Sequence, residues 1–314
     1  MKRLIRGKTC LLLCLLVADV ASATGPPITA VTFAPDGKSV VTASQAGVQV
    51  FSWPGLKRQR TIKTSASNLH CLAFSPSGKQ LAVGGGNPSE DGNVEIFSWP
   101  AAKSITTFQG HDDSVRSIAW PDNSQLLSAS IDRQIKLWNL GTKDKAILTL
   151  KGHSRSVDAI CLLKESKTLI SAGIDQSLRV WDLPSGKLTR SLSQHTKPVH
   201  ALALRPAEGG LPMVASAAGD RTIRFWQPTI GRMVRYIRLD VEPLDIAWLA
   251  DGSQIVASCV DGSIRVIDAD EVKVIQSLPA ITGWAYALAV HPTDGSIVGA
   301  GADGQIQRIE LGSK

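Results

Sequence analysis

A unit of about 41–46 residues recurs along this 314-residue chain, and that repeat limits the possible folds more than any other feature. Each copy reads as an alternating apolar segment, a turn rich in Pro, Asp and Gly, a second alternating segment, a tight turn and a third segment. Alternation with period two marks a strand, because successive side chains leave opposite faces. A unit this small cannot cover its own apolar face, so the copies must stack side by side. The first-strand segments are 28–33, 69–74, 115–120, 157–162, 199–204, 244–249 and 285–290, which makes seven copies.

The turns that follow the first strands include Ala34-Pro35-Asp36-Gly37, Ser75-Pro76-Ser77-Gly78, Pro121-Asp122-Asn123 and Ala250-Asp251-Gly252, which supply the backbone angles a hairpin needs. In six copies the second strand ends in a tight turn with an acidic residue: Asp91, Asp132, Asp175, Asp220, Asp261 and Asp303. Six residues further on stands a large apolar side chain: Phe97, Trp138, Trp181, Trp226, Ile267 and Ile309. The constant step puts that side chain at the same place on the third strand of each copy.

Three central copies add Gly110-His111 with Ile135-Lys136-Leu137-Trp138-Asn139, Gly152-His153 with Leu178-Arg179-Val180-Trp181-Asp182, and His195 with Ile223-Arg224-Phe225-Trp226. In these residues the chain resembles the WD40 repeat family, over essentially everything after residue 23. The resemblance implies an all-β, seven-bladed WD40-type β-propeller, with blades near 28–64, 65–109, 110–151, 152–193, 194–239, 240–280 and 281–314. Blades 1, 2, 6 and 7 depart from the pattern: they lack the Gly-His pair, and the first two end in Phe-Ser-Trp-Pro (Phe51 to Pro54, Phe97 to Pro100). The last copy reaches only a third strand at 306–311, and Thr24 to Pro27 are too few and too proline-rich to add a fourth. A three-stranded last blade is therefore expected, its outer edge either simply protected by Gln305, Gln307 and Arg308 or open to a strand from another chain.

Lys2, Arg3, Arg6 and Lys8 precede an apolar run at 10–17, and Ala21-Ser22-Ala23 offers small residues where a signal peptidase needs them. Residues 1–23 are expected to be a signal peptide cut after Ala23. The run is well short of the ~20 residues that span a bilayer, so no stable membrane span is expected after cleavage. Leu13 stands before Cys14, where a lipid-attachment signal needs a small residue. The expected location is secreted or periplasmic, in a bacterial cell. Loss of the leader leaves 30 basic against 26 acidic residues, a net +4 in place of +7. With export, this argues against nucleic acid as a partner. Of five cysteines, Cys10 and Cys14 leave with the leader. Cys71, Cys161 and Cys259 fall in different blades and are expected as buried free thiols, not as a disulfide framework or a metal site.

The resemblance implies that His111/Ser128/Asp132/Trp138, His153/Ser171/Asp175/Trp181 and His195/Ser216/Asp220/Trp226 form hydrogen-bonded structural tetrads. Ser, His and Asp together suggest nucleophilic catalysis, but one active site is not built three times. A network that rigidifies each blade accounts for the repetition.

In a propeller the residue after the leading apolar position of each first strand faces the channel mouth, on the top face. That column reads Thr29, His70, Arg116, Asp158, His200, Asp245 and Tyr286, six of the seven ionisable or aromatic. Convergent polar groups in a concavity are the signature of a binding site, against the plainer alternative of a hydrated channel mouth. His70, Asp158, His200 and Asp245 are metal-ligand types, but they come from separated blades.

Three further stretches have surface readings. Residues 84–93 are expected as a long loop between the second and third strands of blade 2, with Glu90, Asp91 and Asn93 as weak Ca²⁺ candidates. Asp268-Ala269-Asp270-Glu271 is expected as a solvated turn on the bottom face. Lys57-Arg58-Gln59-Arg60 and Arg232, Arg235 and Arg238 are expected on outer fourth strands, where charge deters aggregation.

The expected function is a non-enzymatic protein-binding scaffold in the cell envelope or outside the cell, its partner held on the top face. No catalytic, cofactor or metal residue is assigned and no cofactor is expected. An exported enzyme or redox protein is a candidate partner; the chain has no Cys-x-x-Cys-His haem site of its own. Two alternatives use the channel mouth. A lactonase- or hydrolase-like propeller enzyme needs a metal and clustered carboxylates there. A small-molecule or glycan-binding propeller needs exposed aromatics on the top face, where Tyr286 and Trp284 are the candidates.

Overall fold

The computed structural model describes residues 25–142, 145–163, 165, 167–206 and 210–311. They form 27 strands in seven antiparallel sheets whose strands pair in chain order. Six sheets have four strands; the seventh, Ala287–Val290, Ile297–Ala300 and Ile306–Ile309, has three. The chain is thus an all-β, seven-bladed propeller with a three-stranded last blade. The expected signal peptide and Cys10 and Cys14 lie outside the described residues.

Each blade is covered on both faces by its neighbours, so the second strand does not alternate between apolar and polar. Ser39–Ser44, Gln125–Ser130, Thr168–Gly173 and Gln254–Cys259 are buried at every residue after the first. Alternation instead sorts side chains between two seams. Leu127 packs with Leu169 between blades 3 and 4, whereas the adjacent Leu126 packs with Ile96 between blades 2 and 3. The core is accordingly seven apolar clusters, one at each seam. Full burial of each large side chain in them stabilises by about 1.5–3 kcal/mol. Fourth strands such as Lys187–Leu192 form the exposed rim.

Among the described residues the seam between blades 7 and 1 is fastened without a shared strand. On one face the Gly25 N–H donates to Asp303 O at 3.1 Å and the Ile28 N–H to Gly301 O at 3.0 Å. On the other, His291 Nε2 donates to Gly37 O at 3.0 Å, and its ring lies 4.9 Å from Phe33 and 6.0 Å from Trp53. Gly37 has φ +68°, and a Cβ there would sit 2.6 Å from His291 Nε2. Glycine thus makes the turn and also admits the imidazole.

Two surface readings change. Residues 84–93 are mostly strand: Gln80–Asn87 and Asp91–Ser98 pair as far as Asn87 with Asp91, leaving only 88–90 to turn. The glycines explain why, since a Cβ on Gly85 would lie 2.1 Å from Asn68 O and one on Gly92 2.0 Å from Asp113 O. The hairpin can press against both inter-blade connections only without side chains there. Likewise Asp270 is not merely solvated: its carboxylate pairs with Arg205 at 3.2 Å and Arg235 at 3.1 Å, both from blade 5. The outer arginine row, Arg232, Arg235 and Arg238, lies on the fourth strand Arg232–Arg238.

Candidate functional site at the channel mouth

Near the start of the first strands the pairing skips one residue: from Leu69 to Cys71, from Val157 to Ala159 and from Val199 to Ala201. The skipped residues, His70, Asp158 and His200, are released from the ladder as bulges. Thr29 and Arg116 are skipped in the same way. Together with Asp245 and Tyr286 they line a cavity of about 410 Å³ where the blades converge.

Asp245 reaches this cavity from a different position than the sequence pattern suggested. In blade 6 the pairing skips Leu244, between Pro243 and Asp245, because the buried Pro243 takes the leading place. Leu244 therefore holds the column position, and Asp245 stands where blade 3 has Ser117. The two act alike: Asp245 Oδ2 accepts the Leu288 N–H of blade 7 at 3.0 Å, and Ser117 Oγ accepts the Ile160 N–H of blade 4 at 3.2 Å. Burial pushes the Asp245 carboxyl up to about 6, against the opposing effect of the N–H donors of Leu288 and Ile246.

Most of the other column residues also reach a neighbouring blade. Thr29 Oγ1 donates to Leu69 O at 2.6 Å. Arg116 Nη1 donates to His70 Nδ1 at 3.0 Å, and its Nε lies 4.0 Å from Asp158 Oδ1. Burial, reinforced by the Arg116 charge, pulls His70 down to about 4, so it is a neutral imidazole at pH 7. Asp158 accepts from Ser156 Oγ at 2.5 Å. His200 Nε2 donates to Glu242 Oε1 at 2.8 Å. Tyr286 lies 5.7 Å from the ring of Trp284, which is 51% exposed.

The mouth is therefore a partly pre-paired ring, with a guanidinium on the side of blades 2 and 3 and aromatic and acidic groups on the side of blades 5 to 7. The side chains of Arg116, His200 and Glu242 keep 38%, 27% and 36% of their surface, enough to meet a ligand. Among the described residues no three of His, Cys, Asp and Glu are placed to share a metal ion.

The tetrads take shape beneath the rim. In blade 4 the Trp181 N–H donates to Ser171 Oγ at 2.8 Å, the serine hydroxyl donates to His153 Nε2 at 2.7 Å, and His153 Nδ1–H donates to Asp175 at 2.9 Å. Blade 3 (Trp138, Ser128, His111, Asp132) and blade 5 (Trp226, Ser216, His195, Asp220) repeat this with every link between 2.7 and 2.9 Å. Each donor finds one acceptor when the histidine is neutral, so the network is satisfied without a charged imidazole. Burial alone would raise Asp175 and Asp220, but hydrogen bonds from His153 and Ser177, and from Thr222 and His195, hold both at about 2.

Where tetrads are missing, other residues on the third strand substitute. In blade 6 the buried Arg265 binds Asp261 at 3.0 Å and Asp240 at 3.3 Å. In blade 2 the buried Glu95 accepts from Ser65 N at 2.9 Å and from Ser104 Oγ at 3.1 Å. The repeat did hold a signal for the first: Asp261 and Arg265 have the same spacing as Asp220 and Arg224, which pair at 3.5 Å.

A family profile described as WD domain, G-beta repeat matches residues 56–98, 102–139, 144–182, 186–227 and 241–268, well over half of the chain. The chain belongs to this family. The first four matched WD repeats straddle a seam: 102–139 takes in the outer strand Ser104–His111 of blade 2 and ends with the third strand of blade 3, Gln134–Asn139. The chain is similar to Periodic tryptophan protein 2 homolog of Dictyostelium discoideum, 30% identical over 64% of this chain and 22% of that protein. It is also similar to THO complex subunit 3 of Arabidopsis thaliana, 30% identical over 59% of each, and to WD repeat-containing protein 1 of Gallus gallus, 25% identical over 83% of this chain and 49% of that one. The chain spans less than two thirds of the length of each of these relatives, and none of the three organisms is bacterial.

Proposed function

We propose that this WD-repeat chain is a non-enzymatic protein-binding scaffold that holds its partner on the top face, at the channel mouth. The observation that carries the reading is the convergence of Arg116, Asp158, His200 and Tyr286 from separate blades on one cavity of about 410 Å³. A rigid ring that presents mixed charge and aromatic surface at one concavity is suited to recognition. The name of one relative, THO complex subunit 3, describes a member of a complex. The test is capture of partners by the purified chain, compared with an Asp158→Ala/His200→Ala double variant whose circular dichroism matches the wild type. Loss of capture is expected; equal capture rejects the top-face reading.

We further propose that the scaffold works in the cell envelope or outside the cell, and that the envelope is bacterial. The ground is the basic, apolar and A-x-A pattern of residues 1–23. An exported enzyme or redox protein is then the partner class. The mass of the protein recovered from its own cells decides: a chain that begins at Thr24 agrees, and one that retains residues 1–23 in the cytosol does not.

A further inference from the structure

We propose that the rim where blades 6 and 7 meet takes a basic side chain, lysine or arginine, from a protein partner, with its cation against the Trp284 and Tyr286 rings. This rests on the top-face reading and names what the partner must bring.

Trp284 is the starting point. Most of the tryptophans are core or seam residues, as Trp138, Trp181, Trp226 and Trp248 are. Trp284 instead keeps 51% of its surface in the connection between blades 6 and 7, with Tyr286 tilted at 54° and 5.7 Å away. Tyr286 also lines the cavity, so the aromatic pair forms a continuous wall from rim to mouth. The faces of such rings attract cations, and do so more strongly where water is excluded.

The surroundings set the sign of the guest. The Trp284 carbonyl accepts the Ala302 N–H at 2.9 Å, which brings the turn carrying Asp303 against this connection. Asp303 is exposed and pairs with no lysine or arginine among the described residues. Glu242, by contrast, faces blade 5, where its carboxylate meets His200 Nε2 at 2.8 Å. Asp261 lies in the turn on the other side, where the Ile281 N–H meets Gly262 O at 2.9 Å, but its charge is balanced by Arg265. The mouth's own guanidinium, Arg116, belongs to blade 3 and is committed to His70 and Asp158. An unbalanced carboxylate in the turn packed on an exposed aromatic pair complements a cation and repels an acidic chain.

The wild-type protein labelled with 5-fluorotryptophan provides the test, with the Trp284 resonance assigned from Trp284→Phe. It is titrated with capped Gly-Ser-X-Ser-Gly peptides in which X is arginine, lysine, glutamate or norleucine. The arginine and lysine peptides are expected to shift the Trp284 resonance saturably, and the other two to leave it unmoved. Asp303→Asn is expected to weaken the arginine peptide by roughly two- to fivefold. An unmoved resonance with arginine, or an equal response to glutamate or norleucine, overturns the proposal. If capture depends on Asp158 and His200 while the arginine peptide leaves Trp284 unmoved, the top-face reading stands and this inference falls. If arginine binds while the Asp158→Ala/His200→Ala variant captures partners normally, this site stands and the mouth reading falls.

Discussion

The Asp245 carboxylate of blade 6 accepts the Leu288 N–H of blade 7 at 3.0 Å, a side-chain tie between the last full blade and the closing one. It is made by a carboxyl that burial pushes up to about 6, above the ordinary aspartate value of about 3.9. A folded value above the unfolded one means that the folded chain binds more protons between these pH values. The contribution to stability is full below about 4 and is lost as pH rises through about 6. Melting temperature followed from pH 4 to 7 is expected to carry this fall, on the order of 2 kcal/mol, and Asp245→Asn to remove it. An unchanged slope in the variant refutes the assignment.

The tetrad aspartates behave in the opposite sense. Asp175 and Asp220 are held at about 2, below the ordinary carboxylate range, so their contribution is present at neutral pH and fades only as pH falls from about 4 through about 2. Ser171→Ala is a sharper probe, because it leaves the buried Trp181 N–H without its acceptor and His153 Nε2 without its donor. A loss of about 2–4 kcal/mol in urea unfolding is expected; a loss under 0.5 kcal/mol would mean that the network is idle.

One residue further along the second strand, the blades carry Ala43, Gly84, Ala129, Ala172, Ala217, Ser258 and Ala300. Ser258 is wholly buried and its hydroxyl has no hydrogen-bond partner. Ser258→Ala is expected to stabilise the protein by about 1 kcal/mol, since it removes an unsatisfied buried group at a site whose counterparts are small. Destabilisation by the same change would reveal a partner that the hydroxyl needs.

His291→Ala removes the bond to Gly37 O and the ring contacts to Phe33 and Trp53 that fasten the closing seam. A cost of about 1–3 kcal/mol is expected. Hydrogen exchange should rise at 25–33 and 287–309 before it rises in blades 3 to 5. Uniform loss of protection would place no special weight on this seam.

Burial pushes Cys71, Cys161 and Cys259 up to about 12, and all three are free thiols. Thiolate is the reactive form, so native protein at pH 7.4 should resist iodoacetamide at all three, as judged by mass, and react after denaturation.

The tetrads were legible through the resemblance to WD40 repeats, which implies the hydrogen-bonded set; the residues by themselves showed that His, Ser, Asp and Trp recur in three copies, which argued against a single active site. The channel column was legible as a position, since the strand register places one residue per blade there. Its pairings were not: Arg116 meets His70 across 46 residues, and His200 meets Glu242 across 42, from a connection outside the column. Asp245 was placed one step off because Leu244 looks like a leading apolar residue, and nothing local shows that Pro243 takes that place. The run of glycines at 84–86 read as loop because composition does not tell a flexible chain from one pressed against a neighbour's backbone. Only the three-dimensional approach of Asn68 and Asp113 makes that distinction.

The seven seam clusters give the molecule no terminal unit. A linear array of repeats frays from its ends, where one face is already bare. Here the loss of any single blade strips two apolar faces at once and also severs a circle. Partial unfolding of the intact ring therefore has no inexpensive first step, and only a change that weakens the thin closing blade supplies one.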